Sequence, residues 1–498
     1  MREIDRRTIQ EIGIPSLVLM ERAAMAVAEK VKQHAKKDDK IWCACGCGNN
    51  GADGVAAARM LYLDGYPVVV IYIGDRERGS EEFRLQASIA EKLGISLIDY
   101  REFIPGKCDV LVDAVFGVGL SRPVAGEYLE FFRLLKEAGP RLTVAVDIPS
   151  GISSDSGQIL GEALPAQFTV TFGWEKLGTV LYPGHDYAGE VTVADIGFPV
   201  PEIIRNGECA FTFQKEDLRL RPKRPAHSNK GSFGKVLVVA GSKNMGGAAY
   251  LSALAAYRTG AGLVRVFTVE ENRSFLQTRL PEAILETYDA ELFHANPEDY
   301  RPVLEEICEW ADAVILGPGL GREAYVEALT EMVLTIACTP IVVDADGLNT
   351  IAAHPYMCGY FTENIILTPH LGEMARLTGK TIPQIQQDVP GTAAEYASHY
   401  GITCVLKDAA TAAALRDGRM YINTSGNSAM AKAGSGDVLA GVIAGLLAQG
   451  MDEMEGTMLG IYLHGLAGDR YREMRGSYGL LAGELADMVG EVLAQEEH

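Results

Sequence analysis

Short, almost wholly apolar runs alternate with helical stretches along the chain, and several of the runs end in glycine, Asp or Asn clusters. No other feature limits the fold so much, because strands that are apolar on both faces need helices covering both sides. In the first half the runs are Lys40–Cys45, Pro67–Ile73, Asp109–Phe116, Thr143–Asp147 and Phe168–Phe172. Helical periodicity falls between them near Val55–Asp64, Glu81–Leu93 and Tyr128–Ala138, after a first helix over Leu17–Val31. An α/β fold is expected, with a mostly parallel, doubly wound, Rossmann-like sheet that binds ligands at the carboxyl ends of its strands.

The pattern breaks once. Phe213 to Lys230 is basic, carries two prolines and has no clear period. The alternation then restarts with strands at Lys235–Ala240, Leu263–Thr268, Ala313–Leu316, Pro340–Asp344, Ile365–Leu367 and Thr403–Leu406. Helices are expected at Gly247–Thr259 and from Asp437 to near Gly450. Two domains follow, residues 1–213 and 221–498, which share a style but no motif, so the chain reads as a fusion.

The formal charge of −21 argues against nonspecific binding to nucleic acid or to an anionic membrane surface. Met1–Gln10 is charged, and no stretch of about 18 apolar residues is present to span a bilayer. Nine cysteines without disulfide-framework spacing fit a reducing cytoplasm. Cys43, Cys45 and Cys47 read as a strand entering a glycine loop, since zinc needs a fourth ligand.

Three strand ends of the first half carry polar groups: GNNGADG (Gly48–Gly54), VDAVFGVGLSRP (Val112–Pro123) and VDIPSGI (Val146–Ile152). Taken singly, a glycine loop can be a tight turn and a strand-terminal Asp a helix cap. Together they bring Asp113, Asp147, Asn49, Asn50 and Ser150 to one sheet edge, and oxygen ligands without His or Cys suit a hard cation. With LMERAA near the start and FGWEKLGTVLYPG at Phe172–Gly184, the set resembles the NAD(P)H-hydrate epimerase family over about residues 1–210. The resemblance implies that Asn50, Asp113 and Ser150 bind K⁺. It implies that Asn49, Asn50, Gly51, Ala52 and Asp53, with Gly117, Val118, Gly119, Leu120, Ser121, Arg122, Pro123 and Asp147, hold the hydrate. Cys47 stands where the family usually has proline, and Ala52 where glycine is common. The chemistry asks for acid–base help at C6 of the hydrated ring, which points to Asp147 as catalytic, with Lys176 as a helper.

In the second half, AGSGD opens the apolar helix within Ala429–Gly450. The N–H groups of Gly434, Ser435 and Gly436 can converge on an anion while Asp437 sits in the first turn, an arrangement suited to phosphoryl transfer to an alcohol. A plain helix cap is the alternative. KGSFGKVLVVAGS, MGGAAY, GPGLG, DADGLN and TPHLGEMARL accompany it, and no Walker P-loop is present. The set resembles the ribokinase-like superfamily, and within it the ADP- or ATP-dependent NAD(P)H-hydrate dehydratases, over about Arg221–Glu496. This implies that Ala248, Gly319, His370 and Asp437 touch the hydrate. Lys407, Asp408, Ala409, Ala410 and Thr411, with Gly434, Ser435 and Gly436, would touch the adenine nucleotide, and Asp437 would be the base. Asp408 departs from the usual Lys-Gly start of the nucleotide segment.

The resemblance implies NADHX and NADPHX as substrates, Mg²⁺ with ADP or ATP (ADP expected), and a homo-oligomer. Two alternatives stay open: a small-molecule kinase like the hydroxyethylthiazole or pyridoxal kinases, and an N-terminal half that only binds.

Overall fold

The structure, a computed structural model, describes residues 1–199 and 209–495. The described residues fall into two compact units, one up to residue 199 and one from residue 209. Among them no helix is long and apolar enough to cross a membrane.

The first unit is built on β1 (Ile41–Gly46), β2 (Val68–Ile73), β3 (Ser96–Asp99), β4 (Val110–Ala114), β5 (Leu142–Val146), β6 (Phe168–Phe172) and β7 (Glu190–Ala194). All pairings are parallel and the order is β3-β2-β1-β4-β5-β6-β7. β1, β4 and β5 are buried along their whole length, as their continuous apolar runs require. The covering helices include α1 (Arg2–Arg7), α2 (Ser16–His34), α3 (Asn49–Leu63), α4 (Glu81–Lys92) and α5 (Glu127–Glu137).

One local expectation needs correcting. GNNGADG is not a loop; α3 already begins at Asn49. Two of its glycines serve close approach: an ideal Cβ on Gly51 would lie 1.7 Å from the Gly46 carbonyl oxygen, and one on Gly54 would lie 2.4 Å from Ala114 Cβ. Helix and sheet therefore pack backbone to backbone, bringing the first turn of α3 against the strand ends. Cys43 and Cys45 share one buried face of β1, in keeping with the strand reading of CxCxC.

The second unit carries β8 (Lys235–Val239), β9 (Leu263–Val269), β10 (Ile284–Tyr288), β11 (Ala313–Leu316), β12 (Ile341–Val343), β13 (Ile365–Leu367), β14 (Thr403–Leu406), β15 (Ala412–Ala414) and β16 (Met420–Ile422). Their order is β10-β9-β8-β11-β12-β13-β14-β15-β16, with only the β14-β15-β16 end antiparallel. Phe211 and Phe213, expected in the first domain, belong to this unit. Phe211 exchanges backbone hydrogen bonds with Met420 and Ile422, and the Phe213 ring packs 5.2 Å from Tyr421.

The helices that matter to the second site are α6 (Gly246–Thr259), α7 (Leu371–Thr378), α8 (Ser435–Ala448), α9 (Glu453–Arg475) and α10 (Ala482–Gln495). α8 is buried on every side from Val438 to Ala448, as a helix apolar all round must be. Its Gly441 faces α6, where an added Cβ would come 2.3 Å from the Ser252 carbonyl oxygen and 2.6 Å from Ala255 Cβ. Gly441→Ala gains about 1 kcal/mol of helix propensity but overpacks a backbone contact, at a cost of about 1–3 kcal/mol. Backbone cannot rotate away, so the clash wins. The expected result is a melting temperature several degrees lower by calorimetry, and an unchanged or higher value would refute this packing argument.

Candidate active sites

The first site lies at the carboxyl ends of β1, β2, β4, β5 and β6, around a cavity of about 890 Å³. Asp113 is fully buried in β4 and is held by Ser150, whose backbone N–H donates to Oδ2 at 2.8 Å and whose hydroxyl donates to Oδ1 at 2.5 Å. Burial pushes the Asp113 carboxyl up to about 6, against the pull of those hydrogen bonds. The Phe116 N–H donates to Ser150 Oγ at 2.8 Å, and the next residue, Gly117, lies against Asn50. An ideal Cβ on Gly117 would be 2.8 Å from Asn50 Oδ1. Asn50, Asp113 and Ser150 thus converge on the Phe116–Gly117 turn.

Asn50 Nδ2 is buried there with no hydrogen-bond partner. A buried amide nitrogen without an acceptor is costly, and a half-turn of the amide presents its oxygen to the same spot instead. The donor set is then carboxylate, hydroxyl and amide oxygen, which fits a hard monovalent or divalent cation.

Asp147 follows β5 with φ of 67°, a left-handed conformation that non-glycine residues avoid and that often marks functional sites. Its Oδ1 accepts from Lys176 Nζ at 2.5 Å, from the Phe172 N–H at 3.2 Å and from Thr171 Oγ1 at 3.3 Å. Lys176 also donates to Thr171 Oγ1 at 2.8 Å and to the Phe172 carbonyl at 2.9 Å, so the ion pair is buried and all three donors of the ammonium are used. Such a pair holds both side chains in one geometry at the cavity wall.

Of the residues expected to hold a ligand, Asn49, Asn50, Asp53, Asp147 and the run Gly117–Arg122 border this cavity. Gly51, Ala52 and Pro123 do not; Gly51 and Ala52 are buried in the first turn of α3, with Gly51 against Gly46 of β1. Sequence reasoning missed Asp5, Arg6 and Ile9, which the N-terminal segment brings to the cavity, and Glu82 from α4. Burial, reinforced by Asp147, Asp5 and Glu82, holds the Asp53 carboxyl well above the usual carboxylate range.

In the second site α8 starts after Gly434, whose φ is 90° and where a side chain would meet Leu251 of α6 at 2.6 Å. The Ser435 N–H is turned to the Lys432 carbonyl at 3.3 Å, so it does not join the expected converging set. Among the described residues the Gly436 N–H meets no acceptor, as the first turn of a helix permits. Gly436 also leaves open the space over a part-buried pair: Lys407 Nζ donates to Asp344 Oδ1 at 2.6 Å, and an ideal Cβ at 436 would lie 3.2 Å from both residues.

Asp437, in the first turn, is pushed up to about 6, chiefly by burial and then by Asp344, with Lys407 opposing. His370 caps α7: its Nδ1 accepts from the Gly372 and Glu373 N–H groups at 2.9 and 3.3 Å. The ring is therefore neutral with its proton on Nε2, and burial lowers its basicity further. Capping fixes the ring and leaves it beside Lys407 in a short parallel bridge. Ala248 and Gly319 touch one another across α6 and the turn after β11, where Gly319 has a φ of 62°. Along the nucleotide segment Asp408 and Ala409 are exposed while Ala410 is buried.

Asp344, Asp346 and His464 escaped the sequence reading as individual residues. Asp346 accepts from the Gly321 N–H at 2.8 Å and so ties GPGLG to DADGLN. His464 lies 3.0 Å from the Ser435 carbonyl, to which its Nε2–H donates, bracing the start of α8; burial lowers it to about 4.

Fold and sites together define a two-domain α/β enzyme: a Rossmann-ordered unit with oxygen donors clustered at its strand ends, and a ribokinase-like unit with a half-buried carboxylate at a helix N-terminus. Residues 236–490 match the profile described as NAD(P)H-hydrate dehydratase, and residues 16–178 match that of the YjeF-related protein N-terminus. The bifunctional NAD(P)H-hydrate repair enzyme of Moorella thermoacetica is 37% identical over 100% of this chain and 96% of its own length. The enzyme of that name from Escherichia coli is 32% identical over 100% of this chain and 93% of its own. The ADP/ATP-dependent NAD(P)H-hydrate dehydratase of Bacillus subtilis, co-crystallised with ATP/Mg²⁺, is 31% identical, with TM-score 0.50, over 57% of this chain and 98% of its own. The chain belongs to the family of bifunctional NAD(P)H-hydrate repair enzymes.

Proposed function

We propose that the chain returns hydrated NADH and NADPH to use in two steps. The first unit interconverts the R and S epimers at C6 of the hydrated ring. The second dehydrates the S epimer, with ADP as the phosphoryl donor. The observation that carries this reading is the placing of one acid in each unit against a lysine-bearing pair, the buried Asp147 with Lys176 and the half-buried Asp437 beside Lys407–Asp344.

In the first unit the ring nitrogen lone pair expels the C6 hydroxyl, and water returns on the other face. Asp147 moves the proton, and Lys176 holds its carboxylate in place through the 2.5 Å bond. Asn50, Asp113 and Ser150 would hold K⁺. Bound there, K⁺ would anchor the Phe116–Gly117 turn and supply positive charge beside the expelled hydroxyl. Asn49, Asp53 and Gly117–Arg122 face the dinucleotide.

In the second unit Asp437 takes the proton from the C6 hydroxyl, whose oxygen attacks the β-phosphorus of ADP as AMP leaves. Phosphate then departs from C6 with a proton from C5, which restores the dihydronicotinamide. Lys407 and the Gly436 N–H face the developing phosphoryl charge. Mg²⁺ bound with the nucleotide would neutralise its phosphates. Ala248, Gly319 and His370 position the hydrate, and Lys407–Thr411 the adenine nucleotide.

The test is absorbance at 340 nm after the protein is added to both NADHX epimers with Mg²⁺, K⁺ and either ADP or ATP. Full recovery of NADH with ADP is the expected result, together with arrest near the S fraction when K⁺ is replaced by a larger organic cation. No recovery with either nucleotide would overturn the reading.

A further inference from the structure

The hydrates that the first unit is proposed to epimerise differ by one phosphate on the adenosine ribose, and the end of β2 carries two side chains fitted to that difference. In a sheet ordered β3-β2-β1-β4-β5-β6, a dinucleotide lies across the strand ends at the β1/β4 reversal. Its pyrophosphate sits at the helix N-terminus after β1, and its nucleosides extend to opposite sides. Asp147 and Lys176, beyond β5 and β6, mark the side where the hydrated ring reacts. The adenosine then lies toward β2.

The chain leaving β2 is fastened beside the glycine-bearing turn after β1. The Ser80 N–H donates to the Cys47 carbonyl at 2.9 Å, and Cys47 Sγ donates to the Ile73 carbonyl at 3.4 Å. Asp75 and Arg78, in this fastened segment, border the same cavity as Asn50 and Asp147. Asp75 Oδ1 accepts from the Glu77 N–H at 3.0 Å, which fixes the turn, while Oδ2 lies 3.3 Å from Arg78 Nε. The two side chains are 56% and 88% exposed, so this ion pair is weakly held and easily exchanged.

We infer that Asp75 and Arg78 set the preference of the first site between hydrated NADH and hydrated NADPH. Asp75 accepts from a free ribose 2′-hydroxyl. With a 2′-phosphate present, Arg78 turns from Asp75 and offers its guanidinium fork to the phosphate, which screens it from the carboxylate. This inference rests on the epimerase reading. Arg76 provides an internal comparison: its guanidinium is bonded to Glu91 at 2.6 and 2.8 Å and does not border the cavity.

The experiment measures epimerase kcat and KM on R-NADHX and R-NADPHX with the full chain and with Arg78→Ala, Arg78→Lys and Arg76→Ala. Arg78→Ala is expected to lower the NADPHX-to-NADHX ratio of kcat/KM about tenfold, through KM, as loss of a charge-assisted contact does. Arg78→Lys should recover part of the ratio, and Arg76→Ala should leave it within about twofold. An equal effect of Arg78→Ala on both substrates, or an equal shift from Arg76→Ala, overturns the inference while leaving the epimerase reading intact. Absence of epimerisation by the unaltered chain on either substrate overturns both.

Discussion

An Asp437→Asn protein is expected to keep its epimerase activity and to lose dehydratase turnover by about 10²–10⁴-fold, the usual contribution of a positioned general base. The amide keeps the shape of the carboxyl and cannot accept the hydroxyl proton. Purified S-NADHX with ADP and Mg²⁺, followed at 340 nm, reads the loss, and chromatography of the R and S forms reads what is kept. The unaltered chain should show the same dependence through pH. Only the ionised carboxyl acts as base, and burial places its titration at about 6. Dehydratase kcat should therefore be level above that value and fall about tenfold per pH unit below it. Wild-type turnover by the Asn variant, or a rate rising into acid, would remove Asp437 from the role of base.

Asp147→Asn should have the complementary effect. Epimerisation falls by about 10²–10⁴-fold, dehydration of pure S epimer is retained, and NADH recovery from a mixed pool stops near the S fraction. The variant has a structural side effect that must be separated from the chemistry. Lys176, with its side chain 4% exposed, would face an uncharged amide. Leaving a buried charge without its partner costs up to about 3–5 kcal/mol. Asp147→Asn combined with Lys176→Met removes both charges, and the double variant should regain thermal stability without regaining activity. Epimerisation at the wild-type rate in either variant would show that Asp147 moves no proton.

Three candidate site acids were legible in the sequence because each violates its surroundings. Asp113 interrupts an apolar strand, Asp147 ends another, and Asp437 opens a helix that is apolar all round. Burying a carboxyl is costly, so acids at such positions ask for an explanation even without a structure. The parallel sheets were legible for a related reason, since continuous apolar runs need covering on both faces. The elements that escaped are short or lie toward sheet ends: β3 and β7 are mostly half-exposed, β15 is three alanines, and β16 has three residues. Such segments become strands through the neighbour they pair with, and their own composition does not announce it.

Which polar groups meet was decided by the tertiary structure. Lys176 reaches Asp147 from 29 residues away and Lys407 reaches Asp344 from 63, because β6 lies beside β5 and because β14 lies two strands from β12. The N-terminal segment lines the first cavity although its charged sequence carries no motif. The glycines of GNNGADG signalled a loop by composition, yet Gly51 and Gly54 sit inside α3, where contact with Gly46 and Ala114 leaves no room for a Cβ. The sequence by itself determined the two α/β units and which polar groups end their strands, since apolar patterning and periodicity are local properties of a chain. Strand order and close packing, which join residues distant along the chain, determined which of those groups act together.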